Sequence, residues 1–278
     1  MNIGTTFSHR HAHFIGLDVI SAYKELLTYK FDVIRLCTYW DENLHTVKEL
    51  LDLSEVSSQK VVITLGMKAP RWPEFYFPHE ISVRDQNDIN KIVEKQIVEY
   101  MYQCVNTLKG YGCIKYWQVE NEPLDKSGPR NLTVPIDILK QEIAIVRAQD
   151  SRPIITTLWG NSLFERKIYS KLIEISDVIG LDLYYRVPSS KGEYTGPEKP
   201  DANYMLFVLG CKKPVWITEL QAEPWSKPES MNLQHLVVNF DHAKKINAEQ
   251  VLLWGCEYWL WRKKFFNDDS WCKLIYQM

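Results

Sequence analysis

Tyr116-Trp117-Gln118-Val119-Glu120 is an apolar run that breaks at Asn121-Glu122-Pro123. Residues 136–148 follow, an amphipathic stretch with apolar residues at i, i+3 and i+4, and then a second apolar run at 153–158. Strand, helix, strand is the pattern of two parallel strands joined by a crossover, because parallel neighbours cannot be linked by a tight turn. The alternation continues in both directions. Upstream lie apolar runs at 3–7, 33–38 and 61–66; downstream lie 178–184, 215–219 and 251–255. Helical periodicity fills the intervals at 22–29, 46–53, 89–108, 166–175 and 233–246.

Eight such units in 278 residues, at roughly 35 residues each, predict an α/β fold of the (β/α)8 TIM-barrel type, a single domain spanning 1–278. A doubly wound open sheet would carry a glycine-rich phosphate turn after an early strand. Neither GxGxxG nor GxxxxGK(S/T) occurs. Two long connections stand out, residues 67–88, rich in proline and aromatics, and 187–201. Both follow strand C-termini, the end of a barrel where active sites are built.

Composition removes several function classes. Lys+Arg 33 against Asp+Glu 35 gives a net charge of −2, which supplies no basic field for a phosphate backbone, so no nucleic-acid partner is expected. No apolar stretch approaches the ~18 residues of a membrane span. Met1-Asn2-Ile3-Gly4-Thr5 lacks the charged and apolar regions of a secretory signal. Six cysteines without CxxC spacing suit a reducing compartment with neither disulfide framework nor zinc site. The expectation is a cytoplasmic protein as written, secreted or anchored if an N-terminal segment has been removed, with no cofactor. The 10 Trp, 15 Tyr and 10 Phe are the one unusual feature of the composition; part of that excess suits the core and part a binding surface.

Two carboxylates carry the chemistry. Glu122 follows the fourth run, and Glu219 ends the seventh in Pro214-Val215-Trp216-Ile217-Thr218-Glu219. A glutamate finishing an apolar strand must be paired, solvated by a cleft or functional, because burying it unpaired is costly. With three units between them, the ends of strands four and seven face one another in a closed barrel. Two facing carboxyls are what retaining glycoside hydrolysis requires, at about 5–5.5 Å. Glu120, Glu223 and Glu257 compete for these roles, with Glu120 also a candidate partner for Arg35.

Asn121-Glu122-Pro123 ending strand four and Thr218-Glu219 ending strand seven resemble the motifs of clan A glycoside hydrolases, retaining (β/α)8 barrels that include family 5 cellulases and mannanases. Arg35 in the second strand, Tyr184 ending the sixth and Trp254-Gly255-Cys256-Glu257-Tyr258-Trp259 ending the eighth fit the same pattern. The resemblance covers nearly the whole chain. It implies a β-linked oligo- or polysaccharide substrate, with Glu122 as general acid/base and Glu219 as nucleophile. Asn121 would bond the sugar 2-hydroxyl, Arg35 would keep Glu219 ionised, and Tyr184 (or Tyr185, one register away) would donate to Glu219. Trp259 and Trp40 would stack on sugar faces. Where several clan members carry a histidine near the third strand, this chain has Lys68 and Arg71, so Lys68 joins the substrate-binding set. His11, of the cluster His9-Arg10-His11-Ala12-His13, would line the sugar pocket.

Two other readings compete. A metal-dependent barrel hydrolase would use His9 and His11, but it needs further ligands from later strands, and His45, His79, His235 and His242 fall in helices or loops. A non-catalytic carbohydrate-binding barrel would keep the aromatics and lose a carboxylate, and both carboxylates are present.

Overall fold

The computed structural model describes residues 1–90, 94–160, 166–185, 187–188, 194–195, 200–224 and 230–278. Eight strands form a closed barrel: β1 (Asn2–Phe7), β2 (Val33–Cys37), β3 (Val61–Leu65), β4 (Ile114–Val119), β5 (Ile154–Trp159), β6 (Val178–Leu183), β7 (Val215–Gln221) and β8 (Gln250–Trp254). Their order around the barrel is β1-β8-β7-β6-β5-β4-β3-β2. A helix follows each strand: α1 (Val19–Leu27), α2 (His45–Ser57), α3 (Glu94–Leu108), α4 (Ile136–Gln149), α5 (Arg166–Ile175), α6 (Pro200–Gly210), α7 (Leu233–Ile246) and α8 (Cys256–Phe266). The fold is the (β/α)8 barrel that the alternation predicts. Residues 91–93 of the expected third helix, Trp225 and most of the 187–201 connection lie outside the described residues.

The eight runs read from sequence coincide with the eight strands to within two residues at each end. Two of the helices have no counterpart in that reading. In α6 apolar residues lie on several sides, with Leu206 and Leu209 exposed, so no single-face period emerges. In α8 the sequence CEYWLWRKKFF mixes aromatics and cations without a stripe. The consequence is a correction: 254–259 is not a strand end throughout. The strand stops at Trp254, Gly255 turns the chain at φ 128°, and Cys256 already begins the helix.

The chain falls into two compact units, one of Met1–Ile34 with Leu181–Met278 and one of Arg35–Gly180. In the second unit, all five residues of β3 are buried, as in a parallel strand covered on both faces. β3 and β4 run in register, Ile63 beside Trp117 and Leu65 beside Val119. α2 ends at Ser58 in the left-handed region, which lets the Gln59 N–H return to the Ser54 carbonyl. α4 turns one stripe inward: Ile138, Leu139, Ile143 and Val146, with Glu142 in its middle.

In the first unit, β8 lies between β1 and β7, parallel to both. Gly4 permits the approach of the neighbouring chain, because a Cβ there would stand 2.4 Å from the Val33 carbonyl oxygen. Asn232 and His235 cap α7 reciprocally, and Asn247 closes it in the left-handed region.

Candidate active site

Glu122 belongs to the second unit. β4 ends at Val119, and the next three residues run along the end of β3: the Glu120 N–H donates to the Leu65 carbonyl at 2.8 Å and the Asn121 N–H to the Lys68 carbonyl at 2.9 Å. Glu120 and Glu122 both lie at positive φ, 60° and 42°, a conformation that costs a residue with a side chain roughly 1–2 kcal/mol. The surroundings hold it there. The Glu122 N–H donates to Thr157 Oγ1 at 2.7 Å, and its carbonyl accepts from Lys68 Nζ at 2.7 Å. Lys68 Nζ also donates to the Asp125 carbonyl at 3.0 Å and pairs with Glu74 at 3.5 Å. The carboxyl group of Glu122 is therefore carried on a backbone whose N–H and C=O are both fixed.

Lys68 is consequently placed differently from the sequence expectation. It is fully buried, and its ammonium is spent on two carbonyls and a carboxylate beneath the Glu122 loop, so it supports the loop instead of meeting a sugar.

Asn121 is oriented by a chain of amides. Arg35, fully buried in β2, can only donate, so the Gln118 oxygen faces its Nη1 at 2.9 Å. The Gln118 NH2 then bonds the Glu120 carbonyl at 3.0 Å and Asn121 Oδ1 at 3.1 Å. With its oxygen committed, Asn121 presents its NH2 as a donor. That is the polarity needed to hold a hydroxyl lone pair. Gln118 was not among the residues singled out from sequence, although its inward position in β4, in register with Thr64, is a signal that could have found it.

Glu219 belongs to the first unit. β7 continues two residues past it to Gln221, and its register against β8 shifts between Ile217 and Leu220, so Glu219 sits inside the strand at an irregularity of the ladder. Tyr184 Oη, just beyond β6, donates to Glu219 Oε2 at 2.5 Å. The ring of Tyr184 meets Trp254 edge-on, centroids 5.9 Å apart. Thr218, on the other face of the strand, donates to Asp182 Oδ1 at 2.7 Å. The strand is tied down further by Asn239 of α7, whose Nδ2 donates to the Gln221 carbonyl at 3.1 Å.

The remaining aromatic and histidine expectations separate. Trp259, expected as a sugar platform, lies inside α8, where it is 2% exposed and its indole N–H donates to the Ala222 carbonyl at 2.6 Å. It is core. Trp254, at the end of β8, is half-buried and stands against Tyr184; the sequence reading names it in the strand-eight motif but gives the stacking role to Trp259. Trp40 packs edge-on to Phe77 and tilted against Tyr100. His11 stacks on the exposed Phe14 along a short helix, His9–Phe14, while His9 at the head of that helix is the buried one.

The competing carboxylates also find places. Glu120 accepts from the backbone N–H groups of Met67 at 2.9 Å and Lys68 at 2.7 Å. Glu257 accepts from the Ser8 N–H. Glu223 packs over Gly255, where a Cβ would fall 2.5 Å from its own Cβ. Among the described residues no group of three or more His, Cys, Asp or Glu is placed to hold a metal ion, and no helix is long and apolar enough to cross a membrane.

No protein-family profile and no curated protein matches the sequence. Solved structures do. The chain is similar to a GH113 β-1,4-mannanase, at 12% identity and TM-score 0.64, over 99% of this chain and 98% of that one. It is similar to a GH5_18 protein from Streptomyces cattleya in complex with GlcNAc, at 13% identity and TM-score 0.67, over 91% and 70%. It is also similar to a β-galactosidase from the psychrophilic Marinomonas ef1, at 14% identity and TM-score 0.66, covering 91% of this chain but 54% of that one. The chain thus spans about half the length of that β-galactosidase. At these identities the likeness is one of architecture: the chain has the (β/α)8 barrel that these glycosidases share.

Proposed function

We propose that the protein is a retaining glycoside hydrolase of the clan A type that cleaves β-linked glycosides by double displacement. In this reading Glu219 attacks the anomeric carbon while Glu122, as the acid, gives its proton to the departing glycosidic oxygen. A water molecule then attacks the glycosyl ester, Glu122 takes the proton from that water, and the sugar leaves with its original configuration. Asn121 donates to the sugar 2-hydroxyl. Tyr184 orients Glu219 by holding one of its oxygens. Arg35 acts through Gln118 on Asn121, in addition to the charge-stabilising role that the motif resemblance implies.

The observation that carries the proposal is the contact between Tyr184 and Glu219, a phenol donor fixed on a carboxylate near the end of the seventh strand. A binding barrel has no use for a carboxylate so oriented. The neighbours named as a β-1,4-mannanase and a β-galactosidase favour a β-linked hexoside as the substrate class.

The test is the leaving-group dependence of Glu122→Ala. Hydrolysis of an alkyl β-glycoside should fall about 10²–10⁴-fold, while a dinitrophenyl β-glycoside, whose phenolate departs without a proton, should lose far less. Added azide should speed the variant and give a β-glycosyl azide. Equal losses on both substrates with no azide product would overturn the assignment of Glu122.

A further inference from the structure

The fully buried Glu120 and Glu142 are not used by the chemistry above. Glu120 precedes Glu122 by two residues, and Glu142 sits in the inward stripe of α4. Their carboxyl groups are close neighbours, each acting on the other. Glu120 also receives the Met67 and Lys68 N–H groups, one on each oxygen, and its carboxyl fills the space over Gly66, where a Cβ would stand 2.3 Å from Glu120 Cδ. Among the described residues no N–H or O–H group of the rest of the protein reaches either oxygen of Glu142. Two ionised carboxylates are acceptors only. Neighbouring carboxyls can bond each other only if one keeps a proton, and the asymmetry of donors says where it stays: Glu120 has backbone donors to satisfy a charge, and Glu142, fully buried, has none among the described residues.

We propose that Glu120 and Glu142 form a buried acid–carboxylate pair sharing one proton, and that this pair is the positioning device for Glu122, a role that rests on the proposed glycosidase reading. Neutral Glu142 donates to the Glu120 carboxylate. Glu120 in turn gathers the Met67–Lys68 backbone, and Lys68 passes that position on through its carbonyl to the Asn121 N–H and through its ammonium to the Glu122 carbonyl. The charged groups facing the pair are Lys68, after β3, and the two glutamates themselves, after β4 and on α4; Glu74 lies beyond Lys68.

Burial pushes both carboxyls upward, and the Glu120 charge pushes Glu142 further. The folded state keeps a proton that the unfolded chain has already released above the ordinary carboxylate range. The pair's contribution to stability is thus complete at acid pH and is lost as pH rises through the raised value. A glutamine at 142 would supply the donor with no proton to lose.

The experiment is carbon-13 NMR of the full chain labelled at glutamate carboxyls, titrated from acid to alkaline pH. The expected result is one carboxyl still protonated at neutral pH in the wild type and absent in Glu142→Gln. The melting temperature of Glu142→Gln should decline less between weakly acid and alkaline pH than that of the wild type. All glutamates titrating in the ordinary range would overturn the pair, whether or not the protein cleaves glycosides. The positioning role is read separately on a dinitrophenyl β-glycoside. Glu142→Leu should lower kcat about tenfold to a hundredfold with little change in KM, and Glu142→Gln should recover most of that loss with a shifted alkaline limb. An unchanged kcat in Glu142→Leu would refute positioning while leaving the shared proton standing. A wild type inert on a panel of aryl glycosides would count against the glycosidase reading and against positioning of a catalytic Glu122, and the NMR arm would still decide the pair.

Discussion

Glu122 and Glu219 are seated in opposite ways. Glu219 lies within β7, between residues paired with β8 on either side of a register shift, and a side chain, the Tyr184 hydroxyl, donates to its carboxylate. Glu122 lies past the end of β4, in a left-handed backbone that no strand supplies. Its position is built from loop contacts: Thr157 on its N–H, Lys68 on its carbonyl, and the Glu120 carboxylate behind Lys68. The strand gives rigidity at little local cost. The loop needs a buried cation and a buried carboxyl pair to reach comparable order. Under the proposed reading Glu122 must gain and lose a proton while keeping its aim, and a backbone held at both its N–H and its carbonyl serves that task.

The comparison can be broken by removing one support from each seat. Lys68→Met should have the larger effect on stability. It leaves the Glu122 and Asp125 carbonyls and Glu74 without their cation in a buried place, a loss of about 3–5 kcal/mol by urea unfolding. Tyr184→Phe removes one hydroxyl and keeps the ring against Trp254, so unfolding should shift by only about 1 kcal/mol. Its loss should instead appear as a fall of about tenfold in kcat on an activated aryl glycoside, because the Glu219 oxygen is no longer aimed. Equal destabilisation by the two variants would mean that the two seats do not differ as described.

The same contrast explains what the sequence made legible. Strands read well because all eight stand out as mainly apolar, β-branched runs between helical stretches, and Glu219 was found because it ends the apolar part of one of them. Asn121-Glu122-Pro123 was found as a motif, but its left-handed backbone has no signature without glycine. The role of Lys68 could not be read, since two of its partners are backbone carbonyls of residues more than fifty positions away. Trp259 misled because aromatic density at 254–261 hides the boundary between strand and helix, where Gly255 alone marks the turn. Glu142 was legible in principle. It occupies a core position in the α4 stripe between Leu139 and Val146, and a carboxyl in an apolar stripe announces a partner.

The central claim is that Glu219 forms a covalent bond to the sugar. Incubation with an activated β-linked fluoro-sugar, which slows release of the glycosyl-enzyme, followed by intact mass and peptide mapping, measures it directly. The account predicts one added fluoroglycosyl group per chain, on the peptide that contains Thr218-Glu219-Leu220, with no addition in Glu219→Gln. Attachment to another carboxylate, or turnover of glycosides by a protein that never accumulates an adduct and releases inverted product, would contradict it.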